Sequence, residues 1–117
     1  MSFDEFIPAL RQQYPDIEIV FQQSNHEGQL IDWLQDADKY ADGIVLNAGG
    51  YTHTSIALSD TVAAISTPVI EVHISDINQR EQFRRHSYLT PVCKHTITGH
   101  GLDGYKEAID LIKSNSL

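Results

Sequence analysis

Basic residues are scarce, with eight Lys and Arg against sixteen Asp and Glu in 117 residues and a formal net charge of −8. That balance excludes a broad phosphate-neutralising surface, and with it a nucleic-acid partner held by one. Cysteine occurs once, at Cys93, which excludes an internal disulfide framework and a cysteine-rich zinc site within one chain and fits a reducing compartment. No apolar stretch approaches the ~20 residues a membrane span requires. The amino terminus lacks the basic-then-apolar layout of a secretion signal, so a soluble cytoplasmic protein with no membrane partner is expected. Internal repeats, low-complexity tracts and linkers are also missing. The length suits a single domain over residues 1–117, with one core.

What the chain does contain is alternation. Ser2-Phe3-Asp4-Glu5 has the S-x-x-E form of a capping box, and Phe3, Phe6, Ile7 and Leu10 follow at helical spacing up to Pro15. Ile17–Phe21 alternates and is rich in β-branched residues, which predicts a strand. Ser24-Asn25-His26-Glu27 is a second capping box, ahead of Leu30, Ile31, Trp33 and Leu34, expected to be a helix with its apolar side in the core. Gly43–Leu46, Val69–His73 and His95–Thr98 read as further strands; Ser55–Ile65 and Tyr105–Lys113 read as helices, with a short helical piece at Arg80–Arg84. Strands alternating with helices of this length imply right-handed crossovers and a mostly parallel sheet covered on both faces. The expected fold class is therefore α/β, a flavodoxin-like three-layer arrangement. Such domains normally open on a strand that lies inside the sheet, whereas this sequence opens on a helix; the expectation is a domain whose first strand is missing.

Three polar clusters stand at the ends of the apolar runs, where open α/β sheets bind ligands. Glu71 and His73 are two apart on a predicted strand and so share a face. A carboxylate beside an imidazole can fix its tautomer and hold it ready to donate a proton. Ile74 and Ser75 follow at the strand end, where backbone amides are placed to take a carboxylate. Asn47 ends a neighbouring strand, Gly49 and Gly50 permit close backbone approach, and His53 lies before a helix whose exposed amides favour an anion. Arg80, Arg84 and Arg85 form the one local cationic cluster of an acidic chain, and a four-residue spacing puts Arg80 and Arg84 on one helix face. A small anionic substrate fits this set. Six histidines raise the question of zinc, but neither H-x-x-x-H nor H-E-x-x-H occurs, so no metal is expected. Gly99, Gly101 and Gly104 match G-x-G-x-x-G literally, yet they lie in the last βα unit rather than the first; a turn and a helix start account for them.

Taken together, Ser24–Gly28, Asn47–Ser55, Glu71–Ser75 and Phe83–Tyr88 closely resemble, in order and spacing, the type II 3-dehydroquinate dehydratases, or type II dehydroquinases, of the shikimate pathway of aromatic amino acid biosynthesis. The resemblance covers the whole sequence. It implies a flavodoxin-like fold, a homo-oligomer (a dodecamer built from trimers), no metal or organic cofactor, and removal of water from 3-dehydroquinate in an anti sense through an enolate. By the same resemblance His73 would protonate the departing hydroxyl, held by Glu71, and Asn47 would bind substrate near the developing enolate. His53 and Arg84 would hold ring hydroxyls, the amides of Ile74 and Ser75 would take the carboxylate, and Asp60 would serve a neighbouring subunit. Members of the family begin with a strand and a flexible lid that carries an arginine and a tyrosine acting as base, and neither matches this sequence. The resemblance thus implies an amino-terminally truncated domain over residues 1–117. The alternative to an active enzyme is a catalytically dead subunit that only binds ligand or assembles.

Overall fold

The computed structural model describes residues 2–117. Helix α1 spans Phe3–Gln13, α2 Glu27–Ala37, α3 Ile56–Ala64 and α4 Asp103–Lys113; strands β1 (Ile44–Leu46), β2 (Val69–His73) and β3 (His95–Thr98) make one sheet. Its order is β1-β2-β3 and both pairings are parallel, with Leu46 opposite Glu71 and Glu71 opposite Thr96. Central β2 is buried along its whole length, as a strand covered on both faces must be. Its pleat divides the core. Ile70 and Val72 pack with Ile97 and with Ala108 of α4, while Val69 faces the other way, into a cluster with Leu34, Leu46, Leu58, Val62 and Leu89. Since side chains alternate along a strand, Glu71 and His73 share the side of Val69, towards α2 and α3.

Helix α1 lies outside α4. Its buried stripe Phe6, Ile7 and Leu10, continued by Tyr14, packs against Leu102, Tyr105 and Ile109, and the Tyr14 hydroxyl donates to Asp110 Oδ1 at 2.6 Å. Burial, reinforced by that carboxylate, pushes the Tyr14 phenol up to about 12. Helix α4 reaches the sheet through Gly104, where a Cβ would stand 3.2 Å from Val72 and 3.3 Å from Ile97. The sequence reading of Gly99–Gly104 as a turn and a helix start holds: Gly99 and Gly101 have φ of 82° and 57°, a region that favours glycine, and α4 begins at Asp103. The result is the expected α/β arrangement, with helices on both faces of a parallel sheet.

Four expectations are corrected. Ile17–Phe21 is extended but joins no sheet. A strand needs a neighbour's backbone to pair with, and this segment instead rests Ile17 and Ile19 against the α1 cluster. The Arg11 guanidinium holds the Ile19 carbonyl at 3.1 Å, while Val20 and Phe21 stay exposed. Neither capping box forms: Ser2 makes no side-chain cap bond, and the N-cap position of α2 falls at His26, which makes none either, with the Ser24 hydroxyl turned to Gln29 Oε1 at 2.5 Å. Trp33 is half-buried and outside the core clusters, whereas Leu34 enters one. The helical piece at Arg80–Arg84 is two single 3₁₀ turns, Ile77–Gln79 and Gln82–Arg84, with extended backbone at Arg80 between them. Arg80 and Arg84 therefore share no helix face. Among the described residues no helix is long and apolar enough to cross a membrane.

Candidate active site

The carboxyl ends of β1 and β2 open into a cleft of about 380 Å³ whose lining includes Asn47, His53, His73, Ser75, Arg80 and Arg84. Gly49, Gly50, Thr54, Ile74, Ile77 and Phe83 complete it. The sequence-predicted residues Asn47, His53, His73, Ile74, Ser75 and Arg84 are thus brought together. Glu71 stands behind His73, fully buried. Asp60 lies on α3 and is not among the lining residues.

Glu71 and His73 meet because the strand pleat puts residues i and i+2 side by side: His73 Nε2 lies 2.5 Å from Glu71 Oε2. The hydroxyl of Ser87 donates to the same oxygen at 2.6 Å, and those of Thr90 and Thr96 donate to Oε1 at 2.7 and 2.9 Å. Burial alone would raise the Glu71 carboxyl, but four donors converging on the charged form outweigh it and hold the group at about 2. An ionised Glu71 accepts only, so His73 Nε2 carries the proton and Nδ1 is the nitrogen left for the cleft. The half-buried Cys93 thiol is pushed up to about 12 by burial and by the charge on Glu71, which leaves it an inert thiol.

The opposite wall is built on the turn after β1. Gly49 takes φ of 57°, and its amide donates to Asn47 Oδ1 at 3.1 Å. The Asn47 amide then donates to the Tyr105 hydroxyl at 2.9 Å, so both ends of the side chain are held. Tyr105 was not singled out from sequence, since nothing in its surroundings distinguishes it from any aromatic on an amphipathic helix. Burial raises its phenol, which suits a hydrogen-bonding group better than a proton acceptor. Tyr51 is turned away, donating to the Asn25 carbonyl at 2.8 Å. His53 Nδ1 donates to the His86 carbonyl at 2.8 Å, which leaves Nε2 as its free nitrogen. Below it Ser55 caps α3 by accepting from the Leu58 amide at 2.9 Å, and donates to Glu27 Oε2 at 2.5 Å.

The rim is cationic and looser. Arg80 Nη1 donates to the Ser75 hydroxyl at 3.3 Å, and Arg85 Nε donates to the Arg80 carbonyl at 2.9 Å. Arg84 pairs with Glu81 at 3.0 Å on the surface, its guanidinium 5.2 Å from the Phe83 ring centre.

A buried carboxylate orienting an imidazole, at the strand ends of an α/β sheet and across a small cleft from an amide side chain and arginines, defines an acid–base site for a small anionic molecule. Comparison with known proteins narrows this further. The chain belongs to the class II dehydroquinase family, which it matches over residues 1–113. It is 54% identical over 99 residues to the 3-dehydroquinate dehydratase of Bacillus pumilus, an alignment covering 85% of this chain and 67% of that protein. With the 3-dehydroquinate dehydratase of Mycobacterium tuberculosis it shares 45% over 110 residues, 92% of this chain and 75% of that one. The crystal structure of the type II dehydroquinase from Butyrivibrio crossotus superposes with a TM-score of 0.91 at 43% identity, over 97% of this chain and 81% of that chain. The flavodoxin-like fold expected from the alternation is the fold of these relatives.

Proposed function

We propose that this protein is a hydro-lyase of the shikimate pathway that removes water from 3-dehydroquinate to give 3-dehydroshikimate, in an anti sense through an enolate, the proton α to the ketone passing to the lid tyrosine that the family resemblance implies as base, outside the residues of this cleft. The observation that carries the reading is the Glu71–His73 pair at 2.5 Å, facing a cleft that also gathers Asn47, His53, Ile74, Ser75 and Arg84. His73 acts as general acid in its imidazolium form: Nε2–H donates to Glu71, whose charge stabilises the cation, and Nδ1–H passes its proton to the departing hydroxyl, leaving the neutral ring protonated on Nε2. The carboxylate keeps the ring in one orientation, so the acid needs no reorganisation as the bond breaks. Asn47, fixed by Gly49 and Tyr105, presents its amide to the developing enolate oxygen, where a pre-set dipole stabilises charge best. The amides of Ile74 and Ser75 take the substrate carboxylate at the strand end, while His53 Nε2 and Arg84 hold ring hydroxyls. Asp60, outside its own cleft, serves the site of a neighbouring copy in a trimer-based dodecamer, and the enzyme works in the cytoplasm.

The test is the rise in ultraviolet absorbance of the conjugated product on addition of 3-dehydroquinate. Turnover by the protein, abolished in His73→Ala while ligand binding persists, is the expected result; a positioned acid contributes roughly 10²–10⁴-fold. Binding of 3-dehydroquinate with no turnover, in the unaltered protein, overturns the reading.

A further inference from the structure

The charge on buried Glu71 is stabilised by hydrogen bonds with no lysine or arginine among their donors. Of the four donors around its carboxylate, only His73 can carry charge, and the other three are the hydroxyls of Ser87, Thr90 and Thr96. They come from two different pieces of chain. Thr96 sits on β3 directly across from Glu71 in the parallel register, while Ser87 and Thr90 lie on the segment anchored by buried Leu89. Each carboxylate oxygen receives two donors: His73 and Ser87 on Oε2, Thr90 and Thr96 on Oε1. Thr90 and Thr96 are themselves exposed although Glu71 is not, so their hydroxyls stand between Oε1 and the solvent. The titratable groups that face the carboxylate are His73, on its own strand, and Cys93 beyond Thr90.

We propose that Ser87, Thr90 and Thr96 are positioning residues for catalysis: together they pin the Glu71 carboxylate in one rotation and keep it ionised, and through it fix the tautomer of His73. The role follows from donor geometry. A carboxylate held on Oε1 cannot swing Oε2 away from the imidazole, and an acceptor-only group facing Nε2 excludes the tautomer that would leave Nδ1 protonated in the resting neutral ring. Ser87 has a second duty, since its hydroxyl also accepts from the amides of Leu89 and Thr90 at 3.1 Å. The threonines have no such tie to the backbone and give the cleaner test.

Thr90→Val/Thr96→Val keeps the shape of both side chains and removes both protein donors to Oε1. Thr90→Ser/Thr96→Ser restores the hydroxyls. In the first variant the His73 ring nitrogens, followed by ¹⁵N NMR across pH, are expected to lose the clean Nε2-protonated signature. kcat is expected to fall on the order of tenfold with KM unchanged, and the acid limb of the pH profile to move upward. The serine variant is expected to regain all three. An unchanged tautomer, kcat and acid limb in a folded Val/Val variant overturns the proposal, as does a loss the serines do not restore. The catalytic part rests on the dehydratase reading, whereas the NMR arm does not: a protein without turnover refutes that reading and still tests the cradle. Should Val/Val fail to fold, Thr96→Val against Thr96→Ser carries the same comparison.

Discussion

The two sides of the cleft are held by opposite means. Behind His73, a fully buried carboxylate takes four hydrogen bonds of 2.5–2.9 Å from three segments of chain. Across the opening, Arg80 and Arg85 each directly follow a single 3₁₀ turn and Arg84 ends the second, tied to exposed partners, with the Arg84 and Glu81 side chains each about half exposed. Surface ion pairs of that kind are worth ~0.2–1 kcal/mol, so the rim can rearrange around a ligand at little cost, while the acid cannot. The division is sensible for elimination chemistry. The proton donor must be in place before the bond breaks, whereas an anion clamp gains by closing after the substrate has entered.

Removing the rigid side should have the largest effect. Glu71→Ala strips the acceptor from three hydroxyls and a ring N–H, and is expected to cost about 3 kcal/mol of stability, read as a lowered denaturation midpoint, together with most of the activity. A native-like midpoint in that variant would mean the carboxylate is not the keystone described above.

Acid sharpens the contrast. The folded-state pKa of Glu71 lies below the ordinary carboxyl value of 4.5, at about 2, so its contribution to stability is complete above about pH 4.5 and drains away as pH falls toward 2. A thermal-midpoint titration should show that slope in the native protein and its loss in Glu71→Gln. The rim has no such signature.

On the more exposed side, Arg84→Ala is expected to raise KM roughly tenfold, about 1.4 kcal/mol of binding, with kcat and the denaturation midpoint nearly unchanged. A collapse of kcat instead would show the rim to be part of the chemistry. The smallest effect belongs to Phe83→Ala. Its ring is exposed and its contact with Arg84 is a surface cation–π pair, so the loss in substrate affinity should be about 0.5 kcal/mol.

Legibility in sequence follows the same divide. The parallel strands, α3 and α4 were readable because apolar runs and helical spacing are local, and the Glu71–His73 pair was readable because a pleat brings residues two apart together. Ile17–Phe21 was misread as a strand because its alternation is genuine but pairing belongs to the neighbour, and β1–β3 offer it none. The arginine turns were misread because a four-residue spacing reports on a face only if the backbone is α-helical, and extended Arg80 breaks it. Tyr105 and the three hydroxyls were invisible: serine and threonine in loops are common, and only the register of β3 against β2 shows that Thr96 meets Glu71.

That register also has a history in time. Of the donors that make Glu71 tolerable inside the protein, His73 follows it by two residues, but Ser87, Thr90 and Thr96 follow by 16, 19 and 25. Burial of a carboxylate lacking its partners costs several kcal/mol, so a nascent chain that has just produced β2 has no reason to enclose it. Stable enclosure of Glu71 thus depends on chain that follows it by as many as 25 residues, which ties β2 to the carboxyl-terminal part of the domain.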